Sequence, residues 1–389
     1  MTLAGCGGDG APAVGPVVRD SAGVRIVEYA GTPDHAAPVA LSPEPVRRYG
    51  GGAGDYLFAS IWDGVLFPDG RPAIFDARNS EIVLLSPDDG YQVLAGPGEG
   101  PGEVGFVPSM FAMGMDSLLV EDDGNARFTL FVAGTVARSV GLQGNRVLSR
   151  DLRGLGIDAS GRLLMSSASY RRGFPDDWLP GRMVRLDLDA LVPDTVASYD
   201  WVPFRPPDDE TDNPFARVGW VGAIAGRFVH GRTDTPELVW RQSDGAVSQV
   251  LRWRPDWVYP TDEHWQVFEA DLRVTLPAIN PQLQTEAAIE DMIQRALAGY
   301  RVEPDQPLPL FGAFFGDDEG RLWLPEYAVA GQRHGYPSYT LISSTGEWLG
   351  KVEAPPGLRI LDVAHGRVLG VVSDDMDVES VVVYELISR

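Results

Sequence analysis

One unit recurs along this chain, and a chain built from it has few ways to fold. The unit is an apolar strand, a tight Gly turn, a second apolar strand, a polar loop, a third strand, another Gly turn and a fourth strand. Its clearest copy runs Ile61-Trp62-Asp63-Gly64-Val65-Leu66, Pro68-Asp69-Gly70, Pro72-Ala73-Ile74-Phe75-Asp76, Glu81-Ile82-Val83-Leu84-Leu85, Ser86-Pro87-Asp88-Asp89-Gly90 and Tyr91-Gln92-Val93-Leu94. Further copies begin at Phe111-Ala112-Met113, Leu155-Gly156-Ile157, Val221-Gly222-Ala223-Ile224, Ala313-Phe314-Phe315 and Ile360-Leu361-Asp362-Val363. Short apolar runs punctuated by Gly, Pro and Asp read as strands. A four-stranded unit at a period of roughly 45 residues cannot bury both faces alone, whereas a ring of such units can. The pattern predicts an all-β chain, a six-bladed β-propeller with four-stranded blades, as a single domain over residues 21–389. The sixth copy ends after its third strand, at Glu385-Leu386. Val24-Arg25-Ile26-Val27-Glu28-Tyr29 is expected to supply the missing strand and leave no open edge.

The turns joining first to second strands are short, and so are most of those joining third to fourth. Length accumulates instead after second strands and between blades, as in Ser169–Trp178, Ala328–Tyr336, Gly96–Pro108, Trp201–Arg217 and Pro255–Pro309. In an up-and-down meander these two loop classes share one face, so one face is plain and the other elaborate. Loops on a rigid scaffold are where function usually sits. Arg171, Trp178, Phe215, His230, His334 and Tyr336 are therefore the candidate ligand-face residues. Residues of about 260–300, between blades 4 and 5, form a small helical insertion. Thr261 can cap a helix carrying Trp265, Phe268 and Leu272 on one face, and a second helix runs from Thr285 to Ala298 and stops at Gly299. The pair reads either as packing on the ring or as a lid or partner-binding element.

The sequence carries no His-Glu-x-x-His, no Cys-rich metal motif and no Gly-x-Ser-x-Gly elbow. Asp76, Glu121, Asp122, Asp234, Glu326 and Asp374 follow second strands, near the mouth of the elaborate face. Asp76, Asp122, Asp234, Glu326 and Asp374 are weak candidates for a hard cation such as Ca²⁺, the one cofactor that these residues suggest. The competing role for such carboxylates is to cap turns and satisfy loop amides. A net charge of −23 disfavours nucleic acid as a partner.

The segment Gly96-Pro97-Gly98-Glu99-Gly100-Pro101-Gly102-Glu103-Val104 resembles the Gly-Glu-Gly-Pro-Gly-Glu-Phe signature of a bacterial six-bladed propeller family related to NHL repeats. Asp76, Ile82-Val83-Leu84-Leu85 and Asp89-Gly90 fit that family's first blade, and Val368–Leu386 fits its last. The resemblance implies the fold and an exported lipoprotein, without a reaction. In physical terms the segment is a turn-rich crossover, with Glu99 and Glu103 capping or pairing locally. The opening Leu3-Ala4-Gly5-Cys6 resembles a lipobox, which would make Cys6 the lipidated residue and residues 1–20 a remnant and flexible tether. The expected protein is a binding or scaffold module of the bacterial cell envelope, on the outer-membrane or periplasmic side. It would be lipid-anchored and would offer its loop-rich face to a protein, peptide or glycan, touching membrane through the lipid alone. The alternative is a lactonase-like hydrolase or lyase with a divalent cation in the central channel. Three or four convergent carboxylate and amide ligands there would mark it.

Overall fold

The computed structural model describes residues 15–32, 34–50, 56–87, 90–142, 152–168, 178–203, 213–279, 285–374 and 376–389. Six sheets stand around a channel lined by the first strand of every blade. Blade 1 comprises Ile61–Leu66, Pro72–Asp76, Glu81–Leu85 and Tyr91–Pro97, with the short strand Glu103–Val104 paired outside it. Blade 2 comprises Ser109–Ala112, Ser117–Asp122, Arg127–Val132 and Thr135–Gly141, and blade 3 Leu152–Ile157, Leu163–Ala168, Trp178–Leu186 and Pro193–Pro203. Blade 4 comprises Gly219–Ile224, Arg227–Arg232, Glu237–Arg241 and Val247–Arg252, and blade 5 Phe315–Gly316, Leu322–Pro325, Ser338–Ile342 and Trp348–Glu353. Blade 6 has Arg359–Ala364, Arg367–Ser373 and Glu379–Ser388.

The ring is closed by a different segment from the one expected. Val39–Leu41 and Arg47–Tyr49 pair with Glu379–Ser388 and together stand as the fourth strand of blade 6. Val24–Glu28 instead lies parallel to the outer strand of blade 4, and Val17–Ser21 folds back on it to make a six-stranded blade. Val27 explains the preference: it is completely buried with Trp240, Leu251 and Trp348 between blades 4 and 5.

Six apolar clusters fill the ring, one between each pair of neighbouring blades. Alternation along each strand puts one side chain in two against the blade before and the rest against the blade after. Burying each Leu, Val or Phe there stabilises the ring by about 1.5–3 kcal/mol.

Two turns on the plain face share an Asp-x-x-Gly-Arg logic. The Asp317 carboxylate accepts from the Arg321 amide at 2.8 Å, the Arg321 Nε at 2.6 Å and the Trp323 indole at 2.9 Å. Gly320 in this turn sits at φ 76°, which a side chain disfavours. Asp158 repeats the arrangement with Ser160 and Arg162.

The insertion between blades 4 and 5 is helical, as expected. Helix α1 spans Asp262–Ile279 and α2 spans Glu286–Ala298. Thr285 caps α2 by accepting the Ala288 amide, and Gly299 ends it. A short helix α3, Gly331–His334, lies in the loop after the second strand of blade 5. No helix among the described residues is long and apolar enough to cross a membrane.

Candidate functional site

The carboxylates after second strands are occupied by the chain itself. Asp76, fully buried, accepts backbone N–H groups of Ala59 at 2.8 Å and Ser60 at 3.1 Å from the incoming link, and of Arg78 at 3.2 Å in its own turn. Asp122 repeats this one blade on, taking the Gly105 and Asn125 amides and the Arg127 Nε. In blade 4 the Thr233 hydroxyl takes the equivalent place, accepting the Val218 amide at 3.0 Å. Asp234 beside it forms a two-point pair with Arg232. Glu326 accepts the Ser338 hydroxyl at 2.7 Å, and Asp374 accepts the Met376 and Val378 amides. Among the described residues no three His, Cys, Asp or Glu side chains gather as a metal site. These five acids sit in five different blades, each satisfied locally.

The Gly/Pro-rich link owes its composition to one guanidinium. Arg127, held by Asp122, donates to the carbonyls of Glu99 at 3.0 Å, Gly100 at 3.0 Å and Glu103 at 2.6 Å. The Glu103 carboxylate turns back to accept the Gly100 amide at 2.6 Å. A Cβ on Gly98 would stand 2.1 Å from that carboxylate.

The candidate ligand-face residues are not brought together. Arg171, like Cys6, lies outside the described residues. Trp178, Phe215 and Tyr336 are buried, at 8%, 2% and 8% exposure, so the expectation that they are displayed is corrected. The Arg232 guanidinium covers the Trp178 ring at 4.2 Å. Phe215 meets His264 and Phe268 of α1 edge-on. The Tyr336 hydroxyl accepts the Ala313 amide. His230 accepts from Arg241 at 3.1 Å, and burial, aided by that cation, pushes its imidazole down to about 4. His334 is exposed on α3, where it and Arg333 both bind Asp271 of α1.

That last contact braces a recess on the elaborate face. A cleft of about 580 Å³ opens between the inter-blade insertion, the loop after the second strand of blade 5 and the segment around Thr32 and Asp34. Its walls include Trp253, Tyr327 and Trp348, with Asp256 and the pair Glu326–Lys351 at 3.6 Å. Burial pushes the Tyr327 hydroxyl up, and it has no hydrogen-bond partner among the described residues. The buried indole N–H of Trp348 likewise lacks an acceptor. Pockets of this size, mostly apolar with a few polar groups, suit small ligands or chain segments. The residues come from positions 32 to 351, so no local motif marks them. The sequence signals are the excess lengths of the link between blades 4 and 5 and of the loop Ala328–Tyr336.

The channel is of another character. On the plain-face side it is a recess of about 580 Å³ walled by side chains such as Val65, Phe111, Leu155, Val221, Phe314 and Leu361. Its acids are staples between blades: Asp63 accepts the Met110 amide at 2.9 Å and Asp362 the Leu66 amide at 2.8 Å. Glu121, deeper in the wall, accepts the Gly154 amide at 2.8 Å. Burial pushes Asp63 and Glu121 up to about 7 and Asp362 up to about 6.

Fold and recess together define a six-bladed propeller with a side cleft built on its loop face. No family model matches the chain, and no curated protein matches it. Among solved structures it is similar to a streptogramin B lyase, at 8% identity and a TM-score of 0.43, over 90% of this chain and 98% of that one. It is similar to a gluconolactonase from Xanthomonas campestris, at 13% identity and a TM-score of 0.44, over 91% and 98%. A member of the DUF4221 family from Bacteroides vulgatus gives 10% identity and a TM-score of 0.45, over 90% and 99%. These neighbours are six-bladed propellers, and the likeness is one of fold alone.

Proposed function

We propose that this chain is an exported binding protein of the bacterial cell envelope, anchored by a lipid on Cys6, that takes its ligand in the cleft beside blade 5. The observation that carries the reading is the construction of that cleft. Its walls include the longest described departure from the propeller repeat and the extended loop after the second strand of blade 5, braced against each other by Asp271, Arg333 and His334. The donors left open there, the Tyr327 hydroxyl and the Trp348 indole N–H, stand beside the Glu326–Lys351 pair and further aromatic side chains. They suit a ligand bearing hydrogen-bond acceptors along a flat or apolar body, as a peptide or glycan segment does. The lactonase-like reading has less support, because the channel acids already bind backbone amides.

A thermal-shift screen of short peptides and oligosaccharides tests this. A ligand that raises the melting temperature of the wild type is expected to lose at least tenfold in affinity with Lys351→Ala and with Tyr327→Phe. Asp69→Ala on the plain face should leave affinity unchanged. Binding sensitive to Asp69 and indifferent to both cleft variants would place the site elsewhere. For the anchor, cells expressing the gene with its upstream region should incorporate labelled palmitate into the protein, and Cys6→Ser should abolish the label.

A further inference from the structure

The N-terminal hairpin fixes where the tether leaves the ring. Val24–Glu28 runs parallel to Val247–Arg252, the outer strand of blade 4, which ends at the loop-rich face. Val17 pairs with Glu28, so the hairpin's first strand begins on that same rim. From Cys6 to Val17 the chain spans at most about 40 Å.

The same face carries two exposed apolar patches. One group is Leu57, Trp62, Phe106, Met376 and Val378, exposed on the links, loops and first strand at the mouth of blades 6, 1 and 2. Leu57 is 71% and Met376 79% exposed, and Trp62 meets Phe106 edge-on at 5.2 Å. The other is Trp257-Val258-Tyr259 in the link from blade 4 to blade 5, across the ring. Trp and Tyr with aliphatic neighbours are the side chains that settle at a membrane–water interface. We infer that the loop-rich face lies against a lipid bilayer, with these two patches as its contacts and residues 6–16 as the tether. The inference rests on the proposed anchoring at Cys6. At a net charge of −23 the contact draws on apolar burial, so a zwitterionic surface is preferred to an anionic one.

Because Cys6 is the only cysteine, the full chain can be coupled through it to a maleimide phospholipid in phosphatidylcholine vesicles. Brominated phosphatidylcholine in those vesicles should quench part of the tryptophan emission. The double variant Trp62→Phe, Trp257→Phe should lose at least two-thirds of that quenching, and Trp220→Phe should keep it. One-fifth phosphatidylglycerol should reduce it. Quenching no greater than with uncoupled protein, or quenching indifferent to Trp62 and Trp257, overturns the inference and leaves these patches to a protein partner. The coupling is chemical, so this result does not depend on lipidation in the cell. Failure of palmitate labelling removes the anchoring reading, and failure of quenching removes the bilayer contact.

Discussion

At the scale of residues, the chain uses buried and half-buried carboxylates to join blades, and this sets a pH dependence. Asp63, Glu121 and Asp362 titrate higher in the folded protein, at about 7, 7 and 6, than the usual values near 4. The folded state therefore holds protons that the unfolded chain releases. The stabilisation is complete below about pH 4 and is lost as pH rises through 6 to 7. His230 works the other way, because its imidazole is held down to about 4 and stability falls as pH drops below about 6.5. The three acids outweigh the one base, so the melting temperature is expected to rise from pH 8 to about pH 5. Glu121→Gln, which keeps an acceptor for Gly154, should flatten that rise by about 1–3 kcal/mol in urea unfolding. Burial also decides what Trp178 and Phe215 do. Each is expected to lose about 3–5 kcal/mol on replacement by Ala, and a loss below about 1 kcal/mol would show that they are surface groups. In the sequence both stand in polar stretches that read as displayed loops. Their covers, Arg232 and helix α1, lie far along the chain, so local pattern could not reveal them.

At the scale of elements, the strand repeat and the helical insertion were legible because both rest on local periodicity and turn chemistry. The closing strand was not. Val24–Glu28 has the stronger apolar pattern, whereas Arg47–Tyr49 contributes two exposed arginines and one buried tyrosine. Pairing is decided there by partners at the other end of the chain. The two N-terminal elements should therefore differ in weight. Removing residues 1–21 strips a wholly exposed strand and should cost about 1 kcal/mol or less. Leu41→Asp puts an unpaired charge into the closure and should unfold the protein or cost more than about 3 kcal/mol. Equal losses in urea unfolding would show that Val17–Ser21 carries as much of the fold as the closing segment. The cleft brace is an element-scale feature as well. Asp271→Ala should speed amide exchange across α1 and α3 and leave blades 1 to 3 unaltered.

At the scale of the molecule, 55 acidic residues face 32 basic ones. Among the described residues most ion pairs have at least one exposed partner and are weak, so mutual repulsion is the larger effect. The melting temperature at pH 8 is expected to rise as NaCl goes from 10 to 500 mM, and a fall would mean that the surface pairs dominate.

The way the ring is shut also governs when it can be shut. Leu41 pairs with Leu386 and Tyr49 with Val381. A chain emerging from the ribosome releases its closing strand ahead of blade 1 and must then make blades 1 to 5 before the partner appears. Bringing such distant segments together is entropically demanding and slow. Until then the last blade is missing and the ring stays open.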